Sequence, residues 1–393
     1  MYQQVSDVQI KSKIPFNRPF IVGKELFYIS QAVIEGNLAG DGKFTKLCTK
    51  WMEDKFKAGK ILLTTSCTAA LEISAILSDI KPGDEVIMPS FTFVSTANAF
   101  ALRGAKIKFA DIRSDTLNIN ENLIENMITK KTKAIVPVHY AGVACEMDKI
   151  IEIANKFDLL VIEDAAQGVN ATYKGRYLGT IGNLGTYSFH ETKNFICGEG
   201  GALLVNDQRF IERAEIIREK GTNRSKFFRG ETDKYTWIDI GSSYLPSELI
   251  AAFLYAQLEE SHTITQKRWE IFNYYIKLFR SLQEIGLLRI PSWPIECQHN
   301  AHLFYIILSD NSTRNKLLNF LNQQGIYAVF HYIPLHTSPM GLKMGYKKGD
   351  LPVTENISER LIRIPCFFEL TQEEQDRIFE TVKTFFSKED KRI

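Results

Sequence analysis

Short apolar runs alternate with helical patterns from about residue 60 to residue 205, and this alternation most constrains the fold. The apolar runs predict buried strands at Ile61–Leu63, Glu85–Met88, Ile107–Phe109, Ala134–Val138 and Leu159–Ile162. The segments between them predict helices at Thr68–Leu77, Ser95–Leu102, Glu121–Ile128 and Met147–Phe157. Such alternation is typical of an α/β fold with a mainly parallel sheet flanked by helices.

The length of the chain indicates two domains. It has 393 residues, whereas a single hydrophobic core stops growing at roughly 250–300 residues. After about residue 247 the pattern changes to a long helical stretch, Ser247–Leu282, followed by mixed short elements. We therefore expect a large domain over residues 14–246 and a smaller C-terminal α+β domain over residues 247–393.

The charges nearly cancel, with 48 basic and 46 acidic side chains and a net charge of +2. This balance argues against a nucleic-acid or membrane partner. Six scattered cysteines without metal-ligand spacing favour reduced thiols in a cytoplasmic protein and no metal site. Residues 1–13 are polar and do not form a signal peptide, and we assign them no function. No apolar run is long enough to span a bilayer.

Lys193 stands in a setting that is unusual for a lysine. It follows the apolar Tyr187 and Phe189 and precedes the glycine-rich run Gly198–Gly201. Most lysines are solvated, but a buried lysine has a lowered pKa and is a better nucleophile toward an aldehyde. Upstream, Asp164 ends an apolar run. Pyridoxal phosphate (PLP) needs this pattern, because a lysine holds it as a Schiff base and an acid pairs with its pyridinium nitrogen.

Hydroxyl groups near predicted strand ends indicate a phosphate site. Ser66, Cys67 and Thr68 lie between a strand and a helix, where backbone N–H groups and hydroxyls bind anions. The plain alternative is an ordinary N-cap. Ser188, close to Lys193, could reach the same phosphate.

Two further side chains are candidates for contacts with the cofactor ring. Gln167, three residues after Asp164, could hydrogen-bond the phenolic oxygen. Phe93 follows a predicted strand, and its ring could stack on the cofactor. The alternatives are a surface glutamine and a phenylalanine that packs in the core, as we expect for the nearby Phe91.

With these residues in place, the chain resembles the PLP-dependent sugar aminotransferases of the DegT/DnrJ/EryC1/StrS family from about Ile14 to its end. The stretches that carry the resemblance are Thr65–Leu71, Pro82–Pro89, Val138–Gly142, Glu163–Gln167 and Ser188–Lys193. The resemblance implies a fold-type I aminotransferase in which Lys193 and Asp164 are catalytic. It also implies the cofactor contacts proposed above for Cys67, Thr68, Phe93, Gln167 and Ser188.

The family forms homodimers whose active sites are built from both subunits, and the resemblance implies the same here. Many members carry an asparagine near the position of Ser243 that reaches the phosphate of the partner's cofactor. This chain has no asparagine there, and Ser242 or Ser243 is the nearest substitute.

Three stretches resemble the family members that make dTDP-4-amino-4,6-dideoxygalactose for enterobacterial common antigen: Ala141–Asp148, Lys220–Ser225 and Phe330–His336. This resemblance implies L-glutamate and a dTDP-4-keto-6-deoxy sugar as substrates. Candidate substrate contacts are Lys220, Arg224, Trp237, His331 and His336. Basic side chains suit a diphosphate, although a lone histidine is more often structural.

Four alternatives compete with this hypothesis. Keto-sugar dehydratases of the family carry histidine in place of the lysine, so Lys193 disfavours them. Transamination at C3 or of a UDP-sugar uses the same residues, and the product configuration at C4 is likewise open. A DNA-binding regulator is disfavoured by the short N-terminal extension and the near-neutral charge. An inactive scaffold is disfavoured by the intact set of Lys193, Asp164, Gln167 and Ser188.

Overall fold

The computed structural model describes residues 12–389, so most of the segment 1–13 lies outside the described residues. The helices are α1 (Glu25–Ile34), α2 (Lys43–Phe56), α3 (Cys67–Leu77), α4 (Val94–Ala101), α5 (Glu121–Met127), α6 (Met147–Phe157), α7 (Ile211–Arg218), α8 (Arg224–Phe228), α9 (Glu248–Glu259), α10 (Ser261–Glu284), α11 (Asn311–Gln323), α12 (Pro339–Lys343), α13 (Pro352–Arg360) and α14 (Gln372–Glu389). Short 3₁₀ helices are Tyr140–Gly142, Gln208–Phe210 and Leu335–Thr337.

The strands form three sheets. They are β1 (Lys60–Thr64), β2 (Glu85–Pro89), β3 (Lys106–Ala110), β4 (Thr132–Ile135), β5 (Leu160–Asp164), β6 (Thr172–Tyr173), β7 (Arg176–Tyr177), β8 (Leu184–Ser188), β9 (Gly201–Val205), β10 (Leu288–Arg289), β11 (Cys297–Gln298), β12 (Phe304–Leu308) and β13 (Leu361–Ile364). The central sheet has the order β1-β9-β8-β5-β4-β2-β3. Within it only β9 is antiparallel to its neighbours, which confirms the mainly parallel sheet.

Helices cover both faces of the central sheet because its strands are apolar on both sides. In β1, for example, Ile61 and Leu63 belong to one buried cluster and Leu62 to the other. Helices α2, α5, α6 and α9 contribute to the first cluster, and α3, α4 and α7 to the second. The strands predicted from the sequence appear as β1 to β5, although β4 ends at Ile135 and not at Val138. The predicted helices appear as α3 to α6.

The C-terminal part contains the antiparallel sheet β10-β12-β13, whose buried cluster includes residues of α10, α11 and α14. The expected helical stretch Ser247–Leu282 is two helices, because Glu260 leaves the helical conformation (φ −92°, ψ 16°). Helix α9 packs with the central sheet, whereas Ile14 packs in the C-terminal cluster. The division into domains at residue 246 stays a prediction.

All six cysteines are buried and carry free thiols. Between residues 12 and 389, no helix combines the length and apolar character that crossing a bilayer requires.

Candidate active site

A pocket of about 540 Å³ lies at the edge of the central sheet where the parallel strands end. Its sheet wall consists of segments that end or follow β1, β2, β5 and β8, and the lining residues there include Ser66, Cys67, Thr68, Phe93, Ser95, Thr96, Asp164, Gln167, Ser188 and Lys193. Its C-terminal wall consists of His302, His331, Tyr332 and Arg363. The carboxyl ends of parallel strands meet at one edge, so the structure brings together every side chain for which a cofactor contact was predicted.

Asp164 is the last residue of β5, and its carboxylate is held from two directions. The Thr96 hydroxyl donates to Oδ2 at 2.6 Å, and the backbone N–H of Ala166 donates to Oδ1 at 3.1 Å. The residue is only 5% exposed, so these two hydrogen bonds replace much of its lost hydration. Asp164 is therefore a buried, fixed acid at the base of the pocket.

Lys193 lies on the loop between β8 and β9, and its side chain lines the pocket. Burial lowers the pKa of its amine below the ordinary value of 10.5, and Arg363 lowers it further. Cys67 and Asp164 act in the opposite direction. The net shift raises the fraction of neutral amine, which is the nucleophilic and basic form.

The residue after Lys193 anchors this loop to the C-terminal part of the chain. Asn194 donates from Nδ2 to the carbonyl oxygen of Asn300 at 2.9 Å. Its Oδ1 lies 2.9 Å from His302 Nδ1. Because an amide oxygen only accepts, His302 donates from Nδ1 and keeps Nε2 as an acceptor. These two hydrogen bonds fix the backbone that carries Lys193.

Gln167 is oriented by both ends of its amide. Its Oε1 accepts from the backbone N–H of Ala141 at 2.7 Å, and its Nε2 donates to the Tyr332 hydroxyl at 3.1 Å. The amide nitrogen carries two hydrogens, so one bond to Tyr332 leaves a second donor for an acceptor in the pocket.

The N-terminus of α3 forms the other end of the pocket. Ser66 is its N-cap, since Ser66 Oγ accepts from the backbone N–H of Ala69 at 3.0 Å. The Thr68 and Ser95 hydroxyls lie 2.7 Å apart. First-turn N–H groups and adjacent hydroxyls are suited to an anion. The simple N-cap interpretation therefore holds for Ser66, while Thr68, Ser95 and Ser188 present hydroxyls to the pocket.

The two candidate aromatic residues separate clearly. Phe93 lines the pocket and is 58% exposed, whereas Phe91 is buried and packs edge-on against Tyr332. Of the two, Phe93 is thus the ring that the pocket exposes.

Sequence reasoning missed several pocket residues. Thr96 and Ser95 lie in the first turn of α4, and His302 and Tyr332 lie in irregular segments without a pattern of their own. Arg363 was signalled by one feature, a charged residue inside the apolar strand β13.

Four of the candidate substrate contacts lie outside the pocket, whereas His331 lines it. Lys220 and Trp237 are exposed, and Arg224 pairs with Glu219 at 2.9 Å. His336 is fully buried, and its ring nitrogens bond Ser90 Oγ at 2.8 Å and a Glu355 carboxylate oxygen at 3.0 Å. We therefore interpret His336 as structural.

A profile of the DegT/DnrJ/EryC1/StrS aminotransferase family matches residues 21–383. The chain belongs to this family. Among its relatives, the spore coat polysaccharide biosynthesis protein SpsC of Bacillus subtilis is 32% identical over 378 residues, covering 94% of this chain and 96% of SpsC. A pleiotropic regulatory protein of Geobacillus stearothermophilus is 35% identical over 319 residues, covering 81% and 82% of the two chains.

Solved structures of a sugar aminotransferase have the same fold. A putative sugar aminotransferase of Streptococcus pneumoniae in its PLP form aligns with a TM-score of 0.88 at 25% identity, over 96% of this chain and 99% of that chain. Its PMP form aligns with a TM-score of 0.88 at 26% identity, over 96% and 98%. This chain is therefore an enzyme, a PLP-dependent sugar aminotransferase of fold-type I.

The pocket of this chain fits PLP because it offers a suitable polar group to each end of the cofactor. A helix N-terminus with hydroxyls suits the phosphate, and the fixed carboxylate of Asp164 suits a protonated ring nitrogen. The backbone of β9 also packs tightly against the N-terminus of α3. Gly201 starts β9 there, and a Cβ at this position would lie 2.6 Å from the Ser66 carbonyl oxygen and overlap the backbone of Cys67.

We expect Gly201→Ala to weaken PLP binding by at least about tenfold, because the new methyl group displaces the N-terminus of α3. Titration of the apoprotein with PLP, followed by visible absorbance, measures this. The control is Gly198→Ala, whose Cβ meets nothing within 4 Å although its φ is +81°. That variant should lose some stability but keep its PLP affinity. An equal loss of PLP affinity in both variants contradicts the assignment of the phosphate site to the N-terminus of α3.

Proposed function

We propose that the enzyme converts dTDP-4-dehydro-6-deoxy-D-glucose and L-glutamate into dTDP-4-amino-4,6-dideoxy-D-galactose and 2-oxoglutarate. The observation that carries amine transfer is the pairing, in one pocket, of a lysine of lowered pKa, Lys193, with the buried carboxylate of Asp164. The choice of sugar is supported by resemblance, above all by Phe330–His336, the stretch that contains His331 and Tyr332 of the C-terminal wall.

Bound PLP supplies an electron sink for the carbon that loses a proton. The chain supplies the acids and bases. Asp164, held by Thr96 and Ala166, keeps the ring nitrogen protonated. Lys193 Nζ takes the proton from Cα of the amino acid and, in the second half-reaction, delivers a proton to C4 of the sugar. Its lowered pKa favours this exchange near neutral pH, since a base works best when its pKa is near the working pH.

The histidines of the C-terminal wall are suited to sugar hydroxyls. Burial lowers the pKa of His302 and of His331 well below the ordinary value, and the charges of Lys193 and Arg363 lower both further. Both rings are therefore neutral. The His331 Nδ1 lies 3.1 Å from the Tyr140 hydroxyl, and the free Nε2 of His302 accepts a hydrogen bond.

We propose that the enzyme is a homodimer with shared active sites. Exposed apolar side chains support this, among them Leu26 (78%), Ile34 (83%), Leu102 (73%) and Trp237 (77%), because burying such side chains against a second copy of the chain is favourable. In a dimer, Lys220, Arg224 and Trp237 would serve the partner's pocket, and Ser242 or Ser243 would stand in for the asparagine of other members.

We place the enzyme in the cytoplasm, in the synthesis of a surface polysaccharide. Six free thiols accord with a reducing compartment. The similarity to SpsC supports a polysaccharide pathway. The resemblance to enzymes of enterobacterial common antigen synthesis supports that polymer type.

The decisive experiment incubates the purified protein with PLP, L-glutamate and dTDP-4-keto-6-deoxyglucose and analyses the product by mass spectrometry and NMR. A reaction without glutamate is the control. We expect a dTDP-4-amino-4,6-dideoxyhexose with galacto configuration.

The other outcomes separate the alternatives. A gluco product keeps the mechanism but contradicts the proposed pathway. No product from folded, PLP-loaded protein contradicts the dTDP-4-keto substrate and directs the search to 3-keto and UDP-linked sugars.

A further inference from the structure

His302 has one ring nitrogen that faces the pocket and that no described protein group uses. The buried histidines His139 and His336 each form hydrogen bonds through both ring nitrogens. In His302, Nδ1 lies 2.9 Å from Asn194 Oδ1, whereas Nε2 has no hydrogen-bond partner between residues 12 and 389. Nε2 is not enclosed by protein either, because His302 lines the pocket.

A fourth buried histidine, His299, shows what a purely structural ring looks like three residues away. Its Nδ1 accepts from the backbone N–H of Ala301 at 3.1 Å. Its Nε2 is enclosed without a partner, and the ring centroids of Trp269 and Trp293 lie 4.2 and 4.4 Å from its own. His299 does not line the pocket. His299 is thus used in packing, whereas Nε2 of His302 is left for a ligand.

The amide of Asn194 fixes which nitrogen of His302 carries the hydrogen. Asn194 Nδ2 donates to the carbonyl oxygen of Asn300 at 2.9 Å, so Asn194 Oδ1 is the atom that faces His302. An amide oxygen only accepts, and the hydrogen of the neutral imidazole therefore lies on Nδ1. Nε2 presents a lone pair to the pocket, and it bonds only a ligand group that donates a hydrogen.

The same amide places this acceptor close to the amine of Lys193. Asn194 follows Lys193 directly in the chain, and the two side chains Lys193 and His302 line one pocket. Burial lowers the pKa of His302 well below the ordinary value, and the charge of Lys193 lowers it further. The ring is therefore neutral, and its lone pair repels a carboxylate oxygen but bonds a hydroxyl group.

The two substrates of the proposed reaction differ in what they offer beside the reacting carbon. In glutamate, apart from the amine that is transferred, that carbon is bonded to a carboxylate and a methylene group, and neither donates a hydrogen bond. In the sugar, C4 is bonded to C3, which carries a hydroxyl, and to C5, which carries the methyl group. The hydroxyl at C3 is thus the one donor on a carbon adjacent to C4.

We propose that His302 Nε2 accepts a hydrogen bond from the sugar hydroxyl on the carbon next to the reacting carbon, which is the C3 hydroxyl of the proposed substrate. This proposal rests on the proposed function, in which the amine is placed at C4. His302 then acts in the sugar half-reaction and not in the glutamate half-reaction. The enzyme discriminates against 3-deoxy sugars, because they leave a buried acceptor unpaired.

The first test needs no variant. The amine form of the native enzyme is mixed with dTDP-4-keto-6-deoxyglucose or with its 3-deoxy analogue, and the cofactor's visible absorbance follows the reaction. We expect the analogue to be poorer by at least about tenfold in kcat/KM, because an unpaired buried acceptor is costly. Equal use of the two sugars overturns the proposal.

The variant His302→Asn removes the pocket acceptor and keeps the bond to Asn194, since the amide nitrogen of asparagine can occupy the place of Nδ1. It should use the two sugars within about threefold of each other, and its half-reaction with glutamate should stay within about threefold of the native rate. An equal loss in both half-reactions would assign His302 to Lys193 and overturn the proposal. The matched control is His299→Asn, which lies outside the pocket and should keep the native preference.

A binding measurement separates recognition of the hydroxyl from turnover. The probe dTDP-4,6-dideoxyglucose has neither a ketone nor a hydroxyl at C4, so it cannot accept an amine. By calorimetry it should bind the native enzyme at least about fivefold more tightly than its 3-deoxy analogue, and His302→Asn should bind both about equally. Equal binding of the two probes by the native enzyme overturns the proposal.

Failure of the proposed function is seen separately, as no turnover of dTDP-4-keto-6-deoxyglucose by folded, PLP-loaded enzyme. The comparison is then made with the keto sugar that the enzyme does accept and with its analogue that lacks the hydroxyl next to the keto carbon. The native preference and its loss in His302→Asn support the proposal there too, and equal use of that pair overturns it.

Discussion

Replacing Lys193 with alanine should lower turnover by at least about 10⁴-fold, because the variant loses both the covalent anchor of PLP and the proton carrier. Among the described residues that line the pocket, Lys193 carries the only side-chain amine. Its removal should leave the fold intact. The loop is held by the backbone N–H of Lys193, which bonds the His190 carbonyl at 2.9 Å, and by the contacts of Asn194 with Asn300.

Turnover with the proposed substrates and the thermal unfolding temperature together measure this prediction. The control is Lys149→Ala, a half-buried lysine on α6 that pairs with Glu152 and lies outside the pocket, and it should keep full activity. Turnover of the Lys193 variant within tenfold of the native rate would remove Lys193 from the mechanism.

The lowered pKa of Lys193 gives an independent check of the same residue. The neutral amine reacts with the PLP aldehyde. The rate of PLP capture by the apoprotein should therefore rise with pH and level off with a midpoint below 10.5, the ordinary lysine value. A midpoint at 10.5 or above would mean that the amine is not desolvated.

Asp164→Asn should lower the turnover number by at least about 100-fold while PLP stays bound. An amide does not carry the charge that keeps the ring nitrogen protonated, so the proton at the reacting carbon becomes harder to remove. Phosphate binding is unaffected, since it depends on the N-terminus of α3. Stopped-flow absorbance on PLP-loaded variant protein separates the lost rate from any lost cofactor.

The neighbouring acid is a matched control for this prediction. Glu163 is fully buried and accepts four hydrogen bonds, from His139 Nε2 and the backbone N–H groups of Gly179, Ile181 and Gly182. Glu163→Gln leaves part of this set unpaired and should lower the free energy of unfolding by about 2–4 kcal/mol. Its rate per bound cofactor should stay within about threefold of native. If both variants lose the same fraction of their turnover rate per bound cofactor, the role of Asp164 in keeping the ring nitrogen protonated is contradicted.

The sheet wall was predictable from the sequence because its residues come directly at or after the ends of predicted strands. Ser66, Asp164 and Ser188 each follow or end a strand, and parallel strands bring their carboxyl ends to one edge. The C-terminal wall was not predictable in this way. His302 and Tyr332 come from irregular segments, and only tertiary packing brings them to the pocket.

Two errors have clear physical causes. His336 shares a stretch with His331, but its ring is used by Ser90 and Glu355 inside the core. The stretch Ser247–Leu282 has continuous helical periodicity, yet the helix is interrupted at Glu260, and α10 runs from the core of α9, which Ile264 still enters, into the C-terminal core from Ile271 onward. Sequence periodicity shows which residues are apolar, and it does not show which core they enter.

The two walls of the pocket have an evolutionary consequence. Residues 66–199 provide the sheet wall, and residues 302–363 provide the C-terminal wall. Substitutions in the last third of the gene that spare His302, Tyr332 and Arg363 can therefore alter which molecules are accepted while the amine, the acid and the phosphate cradle of the sheet wall stay in place. A lineage can diversify its acceptor sugars by changing a few codons there, while the inherited reaction stays the same.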